Sequence, residues 1–186
     1  MADITEPTLD DLIADFKSMP ISGHAHAIGH LCVAWSSLEN ATDLFLSVIL
    51  NIKPHHIRTA VINNISVREK WKMILSVCFL KQFKAGWYDS VAKEINNIDN
   101  ELRPERNRMV HDHWDYRETQ IARLQSVAKV YKVQKDLQFK DVESKPVEER
   151  EIWELTVRVM ASIGELMDLL DEYVVHGLNA STKTAE

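Results

Sequence analysis

Apolar residues recur along most of this chain at helical spacing and divide it into a series of helices with one interruption. The first helix is short. Leu9, Leu12, Ile13 and Phe16 share a face behind Thr8, whose hydroxyl suits a helix cap, and Pro20 and Gly23 close it. A much longer helix is predicted from His24 or Ala25 to Asn51. Ile28, Leu31, Trp35, Leu38, Thr42, Phe45, Leu46 and Ile49 leave little of its girth polar, which marks a central, buried element. Pro54 fits the first turn of a further helix reaching about Asn64. Ser66 and Glu69 have capping-box spacing ahead of a helix with Trp71, Ile74, Leu75, Cys78, Phe79 and Phe83 inward, ending near Gly86. The next starts near Asp89 and passes through Val91, Ile95, Ile98 and Leu102. There Pro104 either kinks the helix or opens a new one from its first turn.

The period changes between Gln120 and Val142. Ile121, Leu124, Val127, Val130, Tyr131, Val133 and Val142 are rich in β-branching, and Leu137 and Phe139 alternate. The reading is a two-stranded hairpin, with a helix over 119–130 as its rival. Lys145-Pro146, followed by Glu148, Glu149 and Glu151, has the proline and acidic first turn of a helix start. That last helix turns Ile152, Leu155, Val159, Ile163, Leu166, Met167 and Leu170 inward and stops near His176, before Gly177. The expected fold is all-α: an antiparallel helical bundle with a small β-hairpin between the helix carrying Arg106 and the C-terminal helix. Residues 1–23 form an extension with a short helix, 24–177 the helical domain, and 178–186 a disordered tail.

Composition narrows the partners more than the fold. The 186 residues are 45% apolar and 27% charged, which suits one soluble domain with a real core. Five Gly and five Pro are few, favouring long helices over a turn-rich β fold. A net charge of -6 argues against an extended DNA- or RNA-coating surface, though it leaves room for a small cationic pocket. No apolar run is long enough to cross a membrane, and the acidic first residues carry no signal-peptide pattern. Cys32 and Cys78, in apolar helical settings without C-x-x-C spacing, read as buried free thiols in a reducing cytoplasm.

Chemistry concentrates between Ile98 and Trp114, IDNELRPERNRMVHDHW. Asn107 and His111, four residues apart, lie on one helix face. Arg106 lies about 140° round the axis from His111 at 3.6 residues per turn. Its side chain either reaches round or points at a second copy. Arginine grips phosphate with a planar fork, asparagine both donates and accepts, and histidine moves protons near neutral pH. Met109 and Val110 hold the segment to the core, and Trp114 and Tyr116 add aromatic surface. On the long helix Glu39 is a carboxylate in an apolar stretch, one turn from Trp35. It is either a half-exposed charge or a group that faces and orients Arg106 or His111.

Arg106-Asn107-Arg108-Met109-Val110-His111 resembles the R-N-x-x-x-H motif of HEPN (higher eukaryotes and prokaryotes nucleotide-binding) domains. Trp35 to Glu39 (WSSLE), Ser66 to Lys70 (SVREK) and His111 to Trp114 (HDHW) are similar to one group of bacterial and phage HEPN-like proteins. The resemblance spans about Ala27 to Val175. It implies a helical bundle and a metal-independent endoribonuclease, of a toxin or phage-defence kind, that needs no cofactor. His111 would be general base or acid, Arg106 would hold the scissile phosphate, and Asn107 would position one of them. Trp35, Glu39, Arg108 and Asp112 would support them. The products would be a 2′,3′-cyclic phosphate and a 5′-hydroxyl. Because one chain supplies one motif histidine, the resemblance implies a homodimer with two motifs facing across a two-fold axis. Besides RNA, it suggests an antitoxin or regulatory protein as partner.

A second reading makes the chain a non-catalytic HEPN-like module that binds RNA or protein, with the motif as a hydrogen-bond node. Acidic charge and the lack of a basic track favour it. A third uses His26 and His30, four residues apart, as metal ligands of a hydrolase. Without His-Glu-x-x-His they read better as a solvated helix start, and no metal is expected. His55 and His56 read as surface, and His113, turned away from His111 by its i+2 position, as peripheral. Glu101, Glu105 and Asp112 dilute the charge of Arg103, Arg106 and Arg108. There is no glycine-rich phosphate loop and no nucleophile elbow.

Overall fold

The computed structural model describes residues 7–53, 60–81, 84–117, 120–124 and 144–177. Thr8 caps α1 (Leu9–Ser18) as expected, in a reciprocal box with Asp11. Its apolar face is largely open: Leu9 is 72% and Phe16 48% exposed. A groove of about 760 Å³ lies between that face and the first turns of α2 (Ser22–Ile49). Gly23, expected to end the first helix, lies inside α2, where the absence of a side chain gives the Glu149 carboxylate room. α2 stops at Asn51, whose left-handed backbone (φ 54°) is one that asparagine tolerates.

α2 is the axis of the core. Leu31, Leu38, Phe45 and Leu46 are fully buried, each contributing about 1.5–3 kcal/mol through apolar area removed from water. The Ser66–Glu69 box opens α3 (Val67–Lys81) as the spacing predicts. Lys70 Nζ meets Asp43 at 2.6 Å and Trp71 Nε1 donates to Thr42 Oγ1 at 3.3 Å, tying α3 to α2. Phe79 departs from expectation. It lies next to Cys78 round the helix and is 54% exposed, packing edge-on to Tyr88. Phe83 and residues 54–59, with His55 and His56, lie outside the described residues, while 60–62 are helical.

Gly86, with φ 78°, turns the chain into α4 (Trp87–Asn97). Pro104 lies in the first turn of a new α-helical stretch, as the second alternative has it, but the backbone stays helical from the preceding element into it. α4 runs into one wider turn, Ile98–Leu102, where the Arg103 N–H bonds the Ile98 carbonyl five residues back. α5 (Arg103–His111) continues with helical backbone, and Pro104, which has no N–H to give, sits in its first turn.

The small sheet begins at His113, not Gln120. β1 (His113–Arg117) pairs antiparallel with β2 (Gln120–Leu124), placing Trp114 opposite Arg123, and β2 pairs with β3 (Ser144–Pro146). The rival helix over 119–130 is therefore overturned for Gln120–Leu124. Val127 to Val142, including the expected Leu137–Phe139 strand, lie outside the described residues, as does the tail 178–186. The acidic first turn of α6 (Glu149–Glu172) is as expected, but Pro146 lies in β3 and Glu148, boxed with Glu151, is the cap; a second wide turn at Tyr173–Gly177 ends the helix.

The bundle is only partly antiparallel. α4 opposes α6, with Trp87 at Leu169, Asn97 at Ser162 and Glu105 at Arg158. α2 and α6 run parallel. His24 meets Val147 at one end, and Phe45 and Tyr173 both stack on Trp87 at the other. No helix of the described residues is long and apolar enough to cross a membrane.

Candidate active site

The motif residues come together at the C-terminal end of α5. Met109 is buried and anchors the helix, so Arg106, Asn107 and His111 face partly outward. The Arg106 side chain bends round the helix. Its Nη1 donates to Asn107 Oδ1 at 3.1 Å and stands 3.3 Å from His111 Nε2. That second contact is a hydrogen bond when the imidazole carries its proton on Nδ1 and offers the Nε2 lone pair. His111 itself is exposed.

Trp35 and Glu39 act beneath this cluster. The Arg106 guanidinium carbon lies 5.5 Å from the centre of the Trp35 ring, which is 4% exposed. A cation over an indole face gains about 0.5–2 kcal/mol, more as water is excluded. Trp35 Nε1 donates to Glu39 Oε1 at 2.9 Å. Glu39 thus fixes the ring under Arg106. Among the described residues it makes no ion pair with Arg106 or His111, so the direct-orientation reading is not what the fold uses. Arg106 Nε is buried and has no hydrogen-bond partner among the described residues.

Two of the three carboxylates that dilute the local charge in sequence, Glu105 and Asp112, pair outside the motif, as does Asp99. Glu105 pairs with Arg158 at 2.7 Å, and Asp99 with Arg103 at 2.6 Å and Arg68 at 3.2 Å. Asp112, the α5 C-cap, is 6% exposed and stands 3.6 Å from Arg123 Nε of β2. Burial pushes the Arg123 guanidinium below its ordinary value; Asp112 opposes that shift and Arg108 adds to it. Asp112 therefore joins helix to sheet, one residue from the motif. Arg108 is exposed, and among the described residues neither it nor Arg106 is in an ion pair.

Three side chains to which the sequence reading gave no positioning role set this geometry. Arg123 holds Asp112 and reaches Met109 Sδ at 3.5 Å. Trp114 Nε1 donates to the Met109 carbonyl at 2.9 Å. His24, whose ring is 5.9 Å from that of Trp114, bonds the Val147 carbonyl through Nε2 at 2.9 Å. Only the pairing register reveals Arg123, because it sits opposite Trp114 across the hairpin. His113 is exposed on β1, and the side chain of Tyr116 lies outside the described residues. Among the described residues no three His, Cys, Asp or Glu side chains are grouped to hold a metal ion.

Comparison with family models, curated proteins and solved structures gives no match to this chain. The likeness to HEPN domains therefore rests on the motif residues themselves. Their arrangement puts an amide and an exposed imidazole within hydrogen-bond reach of one nitrogen of a guanidinium cation. Such a set can bind a phosphate oxygen and move a proton beside it.

Proposed function

We propose that this protein is a metal-independent endoribonuclease of HEPN type, acting as a toxin-like or phage-defence component in the cytoplasm. The observation that carries this reading is the convergence of Asn107 and His111 on Arg106 Nη1. In the reaction a ribose 2′-hydroxyl oxygen attacks the adjacent phosphorus, and its proton passes to His111 Nε2. The bond from phosphorus to the 5′-oxygen breaks, and that oxygen takes a proton to become a 5′-hydroxyl. Arg106 binds a non-bridging oxygen and stabilises the charge of the five-coordinate transition state, while Asn107 steadies the guanidinium. The resting contact occupies the nitrogen that must accept the proton. Arrival of the phosphate draws Nη1 away and frees Nε2. The second proton-transfer group is His111 of another copy, so the active form is a homodimer, which sedimentation at micromolar concentration tests.

The test of chemistry is cleavage of total RNA and of tRNA in EDTA by wild type, Arg106→Ala and His111→Ala. Wild type alone yields cyclic-phosphate ends, and loss of His111 lowers the rate about 10²–10⁴-fold. The alternative is a non-catalytic module binding RNA or a regulatory protein. The partly buried, stacked guanidinium favours it, since Arg106 already has a structural use. Three equally inert proteins that are folded and dimeric would move the reading there.

A further inference from the structure

The first turns of α2 hold a second cluster that the ribonuclease reading does not use. His26 and His30 are both exposed, yet their imidazoles turn to one point, with Nε2 to Nε2 at 3.1 Å. Two ligand nitrogens each about 2.0–2.1 Å from a common ion lie about 2.8–3.4 Å apart for angles between a right angle and the tetrahedral one. The observed separation falls within that bite. The ring planes are inclined at 71°, so the two lone pairs meet without the rings stacking.

The pair is also held in place. Trp153 of α6 packs against His30 at 4.9 Å and edge-on to His26 at 6.0 Å. Trp153 is itself anchored through Nε1 to Glu149 Oε1 at 3.0 Å. A hydrogen bond between two exposed imidazoles merely replaces one to water and gains little. Pre-set rings, by contrast, reduce the ordering cost of binding an ion. We infer that His26 and His30 form a two-histidine clip for one borderline divalent transition-metal ion, Zn²⁺, Ni²⁺ or Cu²⁺, with water completing the shell. To bind, the imidazole that donates through Nε2 shifts its proton to Nδ1. Both Nε2 lone pairs are then available to the ion. Copper binds tightest of the three to nitrogen ligands.

Trp153 supplies a reporter. Untagged, metal-free protein is titrated with CuCl₂, following tryptophan emission, and with ZnCl₂ by calorimetry. One ion per chain is expected, with Cu²⁺ quenching emission. His26→Asn and His30→Asn each weaken both metals at least about tenfold, the scale of losing even an outer-shell partner. His176→Asn, elsewhere on the surface, binds like wild type. Trp153→Phe keeps calorimetric binding and loses most of the quench. Circular dichroism of each variant confirms the helical fold. No saturable binding by wild type, binding unchanged in His26→Asn, or a full quench surviving in Trp153→Phe overturns the assignment.

Discussion

Arg106 and Arg123 both approach the C-terminal end of α5, one from within the helix and the other from β2. Arg123 is 9% exposed and faces a carboxylate that is itself buried, Asp112. Arg106 is half-buried, lies on an indole face and, among the described residues, meets Asn107 and His111 rather than a carboxylate. A buried cation with an anion beside it is neutralised and holds structure. A cation given only a ring, an amide and an imidazole keeps its charge available to an incoming anion. The two arginines thus differ at one helix end: one ties helix to sheet, and the other is the one the proposed reaction uses.

The most damaging way to break this division is Asp112→Ala. It leaves Arg123 buried without its carboxylate and is expected to cost about 3–5 kcal/mol in urea unfolding. The double variant Asp112→Ala/Arg123→Met recovers most of that loss, because the stranded charge goes with its partner. A single variant within about 1 kcal/mol of wild type would mean that Asp112 is no more committed than His111.

Arg106→Lys sharpens the other side. Lysine keeps the charge but loses the fork that rests on Trp35 while reaching Asn107 and His111. Stability changes by less than about 1 kcal/mol, whereas the RNA cleavage proposed above falls at least about tenfold, as for a general loss of transition-state contact. A lysine variant with full cleavage would reduce Arg106 to a point charge.

Ser66→Ala separates commitment from burial. The Ser66–Glu69 box is exposed, yet each group is answered by the other. Loss of the cap costs roughly 1 kcal/mol and leaves cleavage untouched. The Ser66 hydroxyl and its backbone N–H hold the Glu69 carboxyl below its ordinary value. A depressed carboxyl stabilises the fold above its unfolded value and loses that contribution as pH falls through the folded one. The gap between wild type and Ser66→Ala therefore narrows in acid.

Local rules made much of this legible. Thr8 and Ser66 announce their helices because a cap needs only residues three apart. The girth of α2 and the meeting of Asn107 with His111 follow from helical period. What escaped depends on partners distant in sequence. Asp112 and Arg123 meet only because β1 starts at His113, where Trp114 and Tyr116 read as aromatic cover for the motif rather than as a strand. Glu39 was one turn from Trp35 in the sequence. Its bond to that indole, rather than to Arg106, depends on how α5 crosses α2. At Pro104 the two alternatives, kink or new start, omitted the wide turn that reconciles proline with a continuous helix.

The smallest effect tests whether the core beneath both arginines opens as one unit. Cys78 is fully buried on α3, and burial pushes its thiol from 9.0 up to about 12. In native protein at pH 8 it stays protonated and shielded, so a thiol reagent modifies Cys32, which is half-buried, first. Cys78 reacts only through opening of the core, and its rate follows the population of open molecules. The raised thiol gives a stability term that is complete below 9.0 and is lost as pH climbs from there to about 12. Asp112→Ala should accelerate Cys78 labelling in proportion to its lost stability, while Arg106→Lys leaves the rate near wild type. Equal acceleration by both would show that Arg106 carries structural load, and the contrast between the arginines would collapse.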